Sequence, residues 1–306
     1  MFKRLATDYL VVVSDLHCGS TLGLYPPEMM LDDEHSYSTG TPQKALYAHW
    51  RVFWEHFVPS VTRGKPFSVV VNGDAVEGDH HNTAQIVSKN LLDHAKIAAE
   101  LLRPVAAVAE SIEIIRGTES HVGASGQYEE ALAIMLGVPM RGGTHSRWEL
   151  WAEMGKWLIH IAHHIGTTSS SAYEHSALSR ELVANLVESA QWGERPADMI
   201  IRSHRHRCAF AGIPTGRGVC EIHVTPAWQM KTAFAQKTSC MRQPQVGGLV
   251  IGLDDYGQWV RRYVWVPPRN GVVGLTPDAV MRLACRGRRS RSKSPHSRNR
   301  RSERTD

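Results

Sequence analysis

Apolar, β-branched runs recur along the chain at 9–15 (YLVVVSD), 67–74 (FSVVVNGD), 111–118 (SIEIIRGT), 156–164 (KWLIHIAHH) and 198–204 (DMIIRSH). Near-continuous apolar runs of this length predict strands buried on both faces, as in a sheet covered by helices. Helical spacing fills the intervals. Leu46, Val52, Phe53, Phe57 and Val61 mark a helix over 43–63, and further helices are expected over 89–110, 127–136 and 176–192. The second is expected to kink or divide near Pro104, because proline removes a backbone donor. Strand alternating with helix points to an α/β architecture. The last third changes character. Runs at 218–228 and 247–267 read as strands, and a turn at Asp254 to Gly257 makes the second a hairpin. There is no internal repeat.

The polar positions that end these strands change the picture. The first strand ends in Asp15-x-His17, and the second runs into NGDAVEGDHHN with Asp74, Glu77, Asp79, His80 and His81. The third ends in RGTESHVG with Glu119 and His121, the fourth in HIAHHIG with His160, His163 and His164, and the fifth in SHRHR with His204 and His206. A D-x-H alone is more often accidental than a ligand pair, and an H-x-H alone more often lies on a solvated surface. Five such endings in one chain are different. Loops at the carboxyl ends of sheet strands form the binding crevice of α/β proteins. Buried acids and imidazoles need partners, and a cation supplies one. Carboxylate with imidazole and no cysteine suits manganese, zinc, iron or nickel. More than four ligands imply two divalent ions, with Asp74 expected between them because Gly73 lets the backbone turn sharply there.

Composition narrows the class. At 306 residues with 42% hydrophobic and 21% charged residues, the chain can bury a sizeable core. Its five cysteines are scattered with no C-x-x-C pair, which argues against a disulfide framework and for a reducing compartment. The N-terminal apolar run is too short for a signal peptide, and no segment approaches the roughly 20 apolar residues of a membrane span; a cytoplasmic protein with no membrane partner is expected. The net charge of +5 is uneven, since nine Lys and Arg against Glu303 and Asp306 give residues 286–306 a charge of +7 and leave −2 for the rest. The expected division is a folded body over 1–283 and an Arg/Ser-rich disordered tail over 284–306. Such a tail contacts DNA or RNA backbones through charge alone, having no aromatic residue to stack on bases; the alternative is a tail that only aids solubility.

The series D-x-H, G-D-x-x-E, R-G-T-x-x-H, H and H-x-H, in this order over about residues 9 to 210, resembles the calcineurin-like metallophosphoesterases, including phage-borne members. The resemblance implies an α/β fold, a four-layer α/β/β/α sandwich of two mixed sheets, with a dinuclear metal site at the strand C-terminal ends. It implies that Asp15, His17 and His206 hold one metal, that Asp74 bridges, and that His163 and His204 hold the other. Glu77 and His164 would stand behind these ligands. The family's third motif is usually G-N-H-D or G-N-H-E. Here Thr118 replaces its asparagine, so Thr118, Glu119 or a water completes the second metal, and His121 is the nearest candidate for the catalytic histidine. Protein phosphatases of the family carry an arginine where this chain has Gly78, although Arg116 matches their arginine-glycine pair. The missing clamp lowers the protein-phosphatase reading.

The activity so implied is hydrolysis of a phosphate ester. A metal-bridging hydroxide attacks in line, with His121 protonating or holding the leaving oxygen. Asn72, His80, His81, Asn82 and Arg116 are candidate substrate contacts. A phosphodiester of nucleic acid or nucleotide ranks first, a phosphomonoester second, and a non-catalytic nucleic-acid-binding protein with a degenerate metal site third. The long segment 18–43, with Pro26-Pro27, reads as an ordered loop that either walls the site or merely covers the body.

Overall fold

The structure is a computed structural model and describes residues 2–80, 83–166, 173–238, 242–254 and 257–269. The elements run in the order β1 (Lys3–Arg4), β2 (Tyr9–Val13), α1 (Thr41–Val52), a π-helical turn (Phe53–Phe57), α2 (Val58–Thr62), β3 (Ser68–Asn72), α3 (Leu91–Ala106), β4 (Ser111–Ile115), α4 (Glu119–Val122) and α5 (Gln127–Met135). Then follow β5 (Glu149–Met154), β6 (Trp157–Ala162), α6 (Glu174–Trp192), β7 (Met199–Arg202), β8 (Ala209–Thr215), β9 (Gly218–Val224), α7 (Ala233–Thr238), β10 (Val246–Asp254) and β11 (Gly257–Trp265).

Two mixed sheets result. One has the order β11-β10-β2-β3-β4 and the other β1-β5-β6-β7-β9-β8. Within the first, β2, β3 and β4 are parallel and β10 runs against β2. The pleat decides the layers. Val11, Val13, Val69, Val71, Ile112 and Ile114 face the outer helices, packing with Leu46, Phe53, Ile97, Leu102 and Leu132. Their alternates Leu10, Val12, Val70 and Ile115 face inward, against Ala152, Met154, Ile159, Ile161, Met199 and Ile201 of the second sheet. On its far side, Ile200, Ile222 and Val224 meet Ala177, Leu178 and Leu182 of α6. Period-two alternation of apolar residues on both strand faces therefore produces a four-layer α/β/β/α sandwich, as the resemblance implied.

Three local expectations are revised. The helix over 89–110 is undivided, because Pro104 falls in the last turn of α3, where one hydrogen bond is lost just before the helix ends. The helix over 43–63 is instead interrupted. Val58 N–H bonds Phe53 O, five residues back, immediately ahead of Pro59, which has no N–H to offer. Strands β5 and β8 had no counterpart in the apolar runs; β5 alternates buried residues with exposed or half-buried ones, and β8 is an edge strand carrying Pro214.

The segment 18–43 packs on the body through Leu24 and Tyr25, both buried in the helix-side core. Met230 N–H donates to Leu22 O, and Gln43 Nε2 to Ser20 O. The 284–306 tail and the end of the 1–283 body lie outside the described residues.

Leu10 is fully buried where the two sheets meet. Leu10→Ala is expected to lower stability by about 2–5 kcal/mol, read as a fall in the denaturant midpoint at unchanged m-value.

Candidate metal centre

Strands β2, β3, β6 and β7 deliver their polar C-terminal residues to one place. Asp15, His17 and His206 bring one ligand atom each within 4.8 Å of one another, and so do Asp74, His163 and His204. The halves adjoin: Asp15 N–H donates to Gly73 O at 2.9 Å, and His17 N–H to Asp74 O at 3.0 Å. Asp15, His17, Asp74, His204 and His206 all adopt left-handed backbone, with φ between 46° and 71°. Non-glycine residues rarely do so, and a cluster of them marks strain held for function. Glycine makes the crowding tolerable. A Cβ on Gly73 would strike the His163 ring, and one on Gly117 would strike Asp74.

The imidazoles are aimed by their second nitrogen. His17 Nδ1 donates to Glu77 Oε2 at 2.7 Å, which turns its Nε2 towards His206 Nε2 at 3.1 Å. His163 Nδ1 donates to Asn72 O at 2.7 Å, which turns its Nε2 towards Asp74 Oδ2 at 3.0 Å. Asp15 Oδ1 and His163 Nε2 are buried with no hydrogen-bond partner. Carboxylate oxygens and imidazole nitrogens that converge in a buried site fit a cation between them. The residues present therefore suit divalent metal ions.

Charge is concentrated here. Burial opposes ionisation of Asp74, but His163 and His204 override it and hold the carboxyl well below its usual range. Burial likewise opposes a charge on His163, and Asp74 pushes it up to about 10. Glu77, despite burial, is held at about 2 by His17 and His80. His121 is pulled down to about 4 by burial and by His17. Its Nδ1 donates to Glu77 O at 2.7 Å, so at neutral pH its Nε2 accepts, and protonating a leaving group from there needs a proton taken up first.

The remaining candidates divide. Thr118 joins the centre: its N–H donates to Asp74 Oδ1 at 2.7 Å, and its Oγ1 lies 3.2 Å from His204 Nδ1. His80 Nε2 lies 3.2 Å from Glu77 Oε1, beside the His121 ring. His163 is buried while His164 is exposed, with its ring 4.8 Å from that of His204. Glu119 is exposed on the first turn of α4 and belongs to none of the ligand clusters found among the described residues, so it does not stand in for the missing oxygen.

Asn72 is fully buried and donates to Ala162 O and Ser203 Oγ, which places it behind His163 rather than against a substrate. Arg116 is turned away to Ser146 and Glu130. His160 sits inside β6, stacked on Trp151 and bonded to Glu149 and Arg202. His81 and Asn82 lie outside the described residues.

Some supporting residues had no motif to announce them. A buried hydroxyl chain runs from Asp15 Oδ2 to Ser14 Oγ (2.5 Å), Thr225 Oγ1 (2.6 Å), Ser203 Oγ (2.7 Å) and Asn72 Nδ2 (2.7 Å), and so links the two half-sites. Ser14 and Ser203 directly precede ligand residues, which was the available signal. Glu129 of α5 is buried and accepts from Ala75 N–H at 2.9 Å and Gly117 N–H at 2.6 Å, clamping the loops that carry Asp74 and Thr118. Burial and nearby Asp74 push its carboxyl up to about 8.

No family model matches the chain, and no curated protein matches it. Among solved structures it is similar to a predicted phosphoesterase from Streptococcus pneumoniae TIGR4, at 13% identity over 89% of this chain and 96% of that one, TM-score 0.32. It is also similar to vacuolar protein sorting 29 from Cryptosporidium parvum (11% identity, 85% and 98% covered, TM-score 0.37). A metallophosphoesterase from Sphaerobacter thermophilus matches at 12% identity, with 83% and 88% covered and a TM-score of 0.36. Likenesses at these scores carry no weight for the activity.

Glu129 gives a test without metal. Its folded pKa of about 8 lies above the ordinary 4.5, so the native state binds the extra proton. The stability that this contributes is full below pH 4.5 and is lost as pH rises through about 8. Chelator-treated protein is expected to lose stability across that window in urea titrations. Glu129→Gln is expected to lack that component of the slope, whatever its absolute stability.

Proposed function

We propose that the chain is a metal-dependent phosphoesterase of the calcineurin-like kind, a hydrolase of ester bonds whose substrate is a phosphodiester of a nucleic acid or nucleotide. One observation carries the reading. Two adjoining acid–imidazole clusters, Asp15–His17–His206 and Asp74–His163–His204, lie at the strand C-terminal ends, with His206 Nε2 3.4 Å from Asp15 Oδ1 and His163 Nε2 3.0 Å from Asp74 Oδ2. Asp15, His17 and His206 would hold one divalent ion and His163 and His204 the other, with Asp74 between. Manganese ranks first on ligand type, with zinc, iron or nickel as alternatives. When bound, such ions neutralise charge on phosphoryl oxygens and acidify water.

The chain's own residues do the positioning. Glu77 fixes the His17 tautomer, and the Asn72 carbonyl fixes that of His163. Thr118 N–H sets the Asp74 carboxylate. His121 and His80 border the first cluster, His121 with an accepting nitrogen, and are placed to orient a leaving oxygen or take up a proton. The diester reading is supported by the arginine that is withheld. Arg116, the arginine that stands beside the third motif, is bonded to Glu130 and Ser146. A monoester dianion calls for a bidentate clamp more than a singly charged diester does.

Cys18, Cys208 and Cys220 are free thiols, which supports a reducing, cytoplasmic setting. No described helix is long and apolar enough to cross a membrane. Charge contact of the basic tail with DNA or RNA belongs to the same reading.

The test is hydrolysis of bis-p-nitrophenyl phosphate beside the mono-ester, using chain stripped with chelator and reloaded with manganese, zinc or nickel. Metal-dependent cleavage of the diester is expected, with Asp74→Asn lower by about 100-fold or more. Cleavage of the mono-ester alone would favour a phosphatase. Bound metal with no turnover on either, and nucleic-acid binding unchanged in Asp74→Asn, would favour a non-catalytic binding protein.

A further inference from the structure

Behind the first ligand cluster lies a buried residue that no motif marks. Gln229 stands in the link between β9 and α7, and its Nε2 donates to Glu77 Oε2 at 2.9 Å. The same oxygen accepts from His17 Nδ1 at 2.7 Å. His80 Nε2 stands 3.2 Å from the other oxygen, Oε1. An ionised carboxylate only accepts, so the amide has to present its NH2 group there.

The link itself is held fast. Trp228 N–H donates to Asp15 O, and Met230 N–H to Leu22 O, both at 2.8 Å. Ala227 N–H donates to Gln245 O at 2.9 Å, and Gln245 N–H to His206 O at 2.9 Å. The Trp228 ring is fully buried against Trp50 and Phe53. One short stretch of backbone is thus tied to Asp15 directly and to His206 through Gln245. Its amide side chain reaches the remaining ligand of that cluster, His17, through Glu77.

Glu77 needs that hold. A glutamate carboxylate turns broadly about its last bond. Glu77 could also meet a cation in another way, since it forms a further cluster with His17 and His121 whose ligand atoms all lie within 4.8 Å of one another. We propose that Gln229 is a positioning residue: its amide keeps the Glu77 carboxylate turned to His17, and so keeps His17 aimed at the ion it would share with Asp15 and His206. The proposal rests on the reading of the site as a metal centre and adds to it a residue outside the ligand set. Partners at this remove change metal affinity by about 10- to 100-fold.

The experiment titrates manganese into the chelator-stripped full chain by calorimetry. His17→Ala identifies the ion that His17 holds, as the binding step it removes. Gln229→Met keeps the length of the side chain and loses the donor. It is expected to weaken that step by about 10- to 100-fold and to leave any second step unchanged. Gln229→Asn, a polar side chain too short to reach Glu77, is expected to weaken it too, and it serves if the Met variant does not fold. Asn185→Leu is the control, because it removes a comparable pair of amide hydrogen bonds, to Ala197, on the outer helix α6. It is expected to lower stability in urea and to leave metal affinity as it was. An unchanged step in the Gln229 variants, equal weakening of a second step, or a loss that Asn185→Leu reproduces would overturn the proposal. Wild type that takes up no manganese, zinc or nickel would overturn it together with the metal-centre reading. Metal uptake without turnover of bis-p-nitrophenyl phosphate would sink the hydrolase reading alone, while the affinities still decide for or against Gln229.

Discussion

The structure depends on keeping Asp15 and Asp74 ionised in a place that excludes water. Burial alone would neutralise both carboxyls. Imidazoles gathered from β6 and β7 reverse that outcome, and two of the cluster's imidazoles are fixed by an acceptor behind them. Glu77 holds His17, and the Asn72 carbonyl holds His163. The result is a set of carboxylate oxygens and imidazole nitrogens that converge on one place, where a proton on His163 stands in the position a cation can take. Such a cluster is costly in a folded protein unless a cation completes it. The left-handed backbone at five ligand residues points the same way, because strain of that kind persists only where the surrounding packing over-determines it.

The surroundings are built to do so. Two sheets stacked through their apolar faces set the ends of β2, β3, β6 and β7 side by side. Gly73 and Gly117 let the His163 ring and the Asp74 carboxylate come closer than any Cβ would allow. The chain of Ser14, Thr225, Ser203 and Asn72 then crosses between the sheets beneath the centre. Every polar atom in that chain is buried, so each has strong reason to keep its partner. Position at one half-site is thereby tied to position at the other.

Most of this was legible in the sequence, for physical reasons that differ from part to part. The central strands were visible because both faces are buried, which writes a continuous apolar run such as Val11-Val12-Val13. β5 was not visible, because its alternation Leu150, Ala152, Met154 is interrupted by Trp151, and only one face meets the inter-sheet core. The ligands were legible because acids and imidazoles at strand ends are conspicuous. Their supports were not. Glu129 is one acid among several on α5, and only the fold shows that its carboxyl reaches the N–H groups of Ala75 and Gly117. Arg116 and Glu119 misled for the opposite reason. Their place beside a motif suggested contact, while a four-residue helix and a partner on α5 carry their side chains elsewhere.

The displacement of Arg116 has a consequence for specificity. A guanidinium reaching the centre would favour dianionic phosphate through charge. Held instead by Glu130 and Ser146, it supports the Trp148 ring. On the proposed diesterase reading this matters, because a bidentate guanidinium is the natural clamp of a dianionic phosphate, and a singly charged diester has less need of one. The work of neutralising charge would then fall to the acid–imidazole clusters and the ions they would hold.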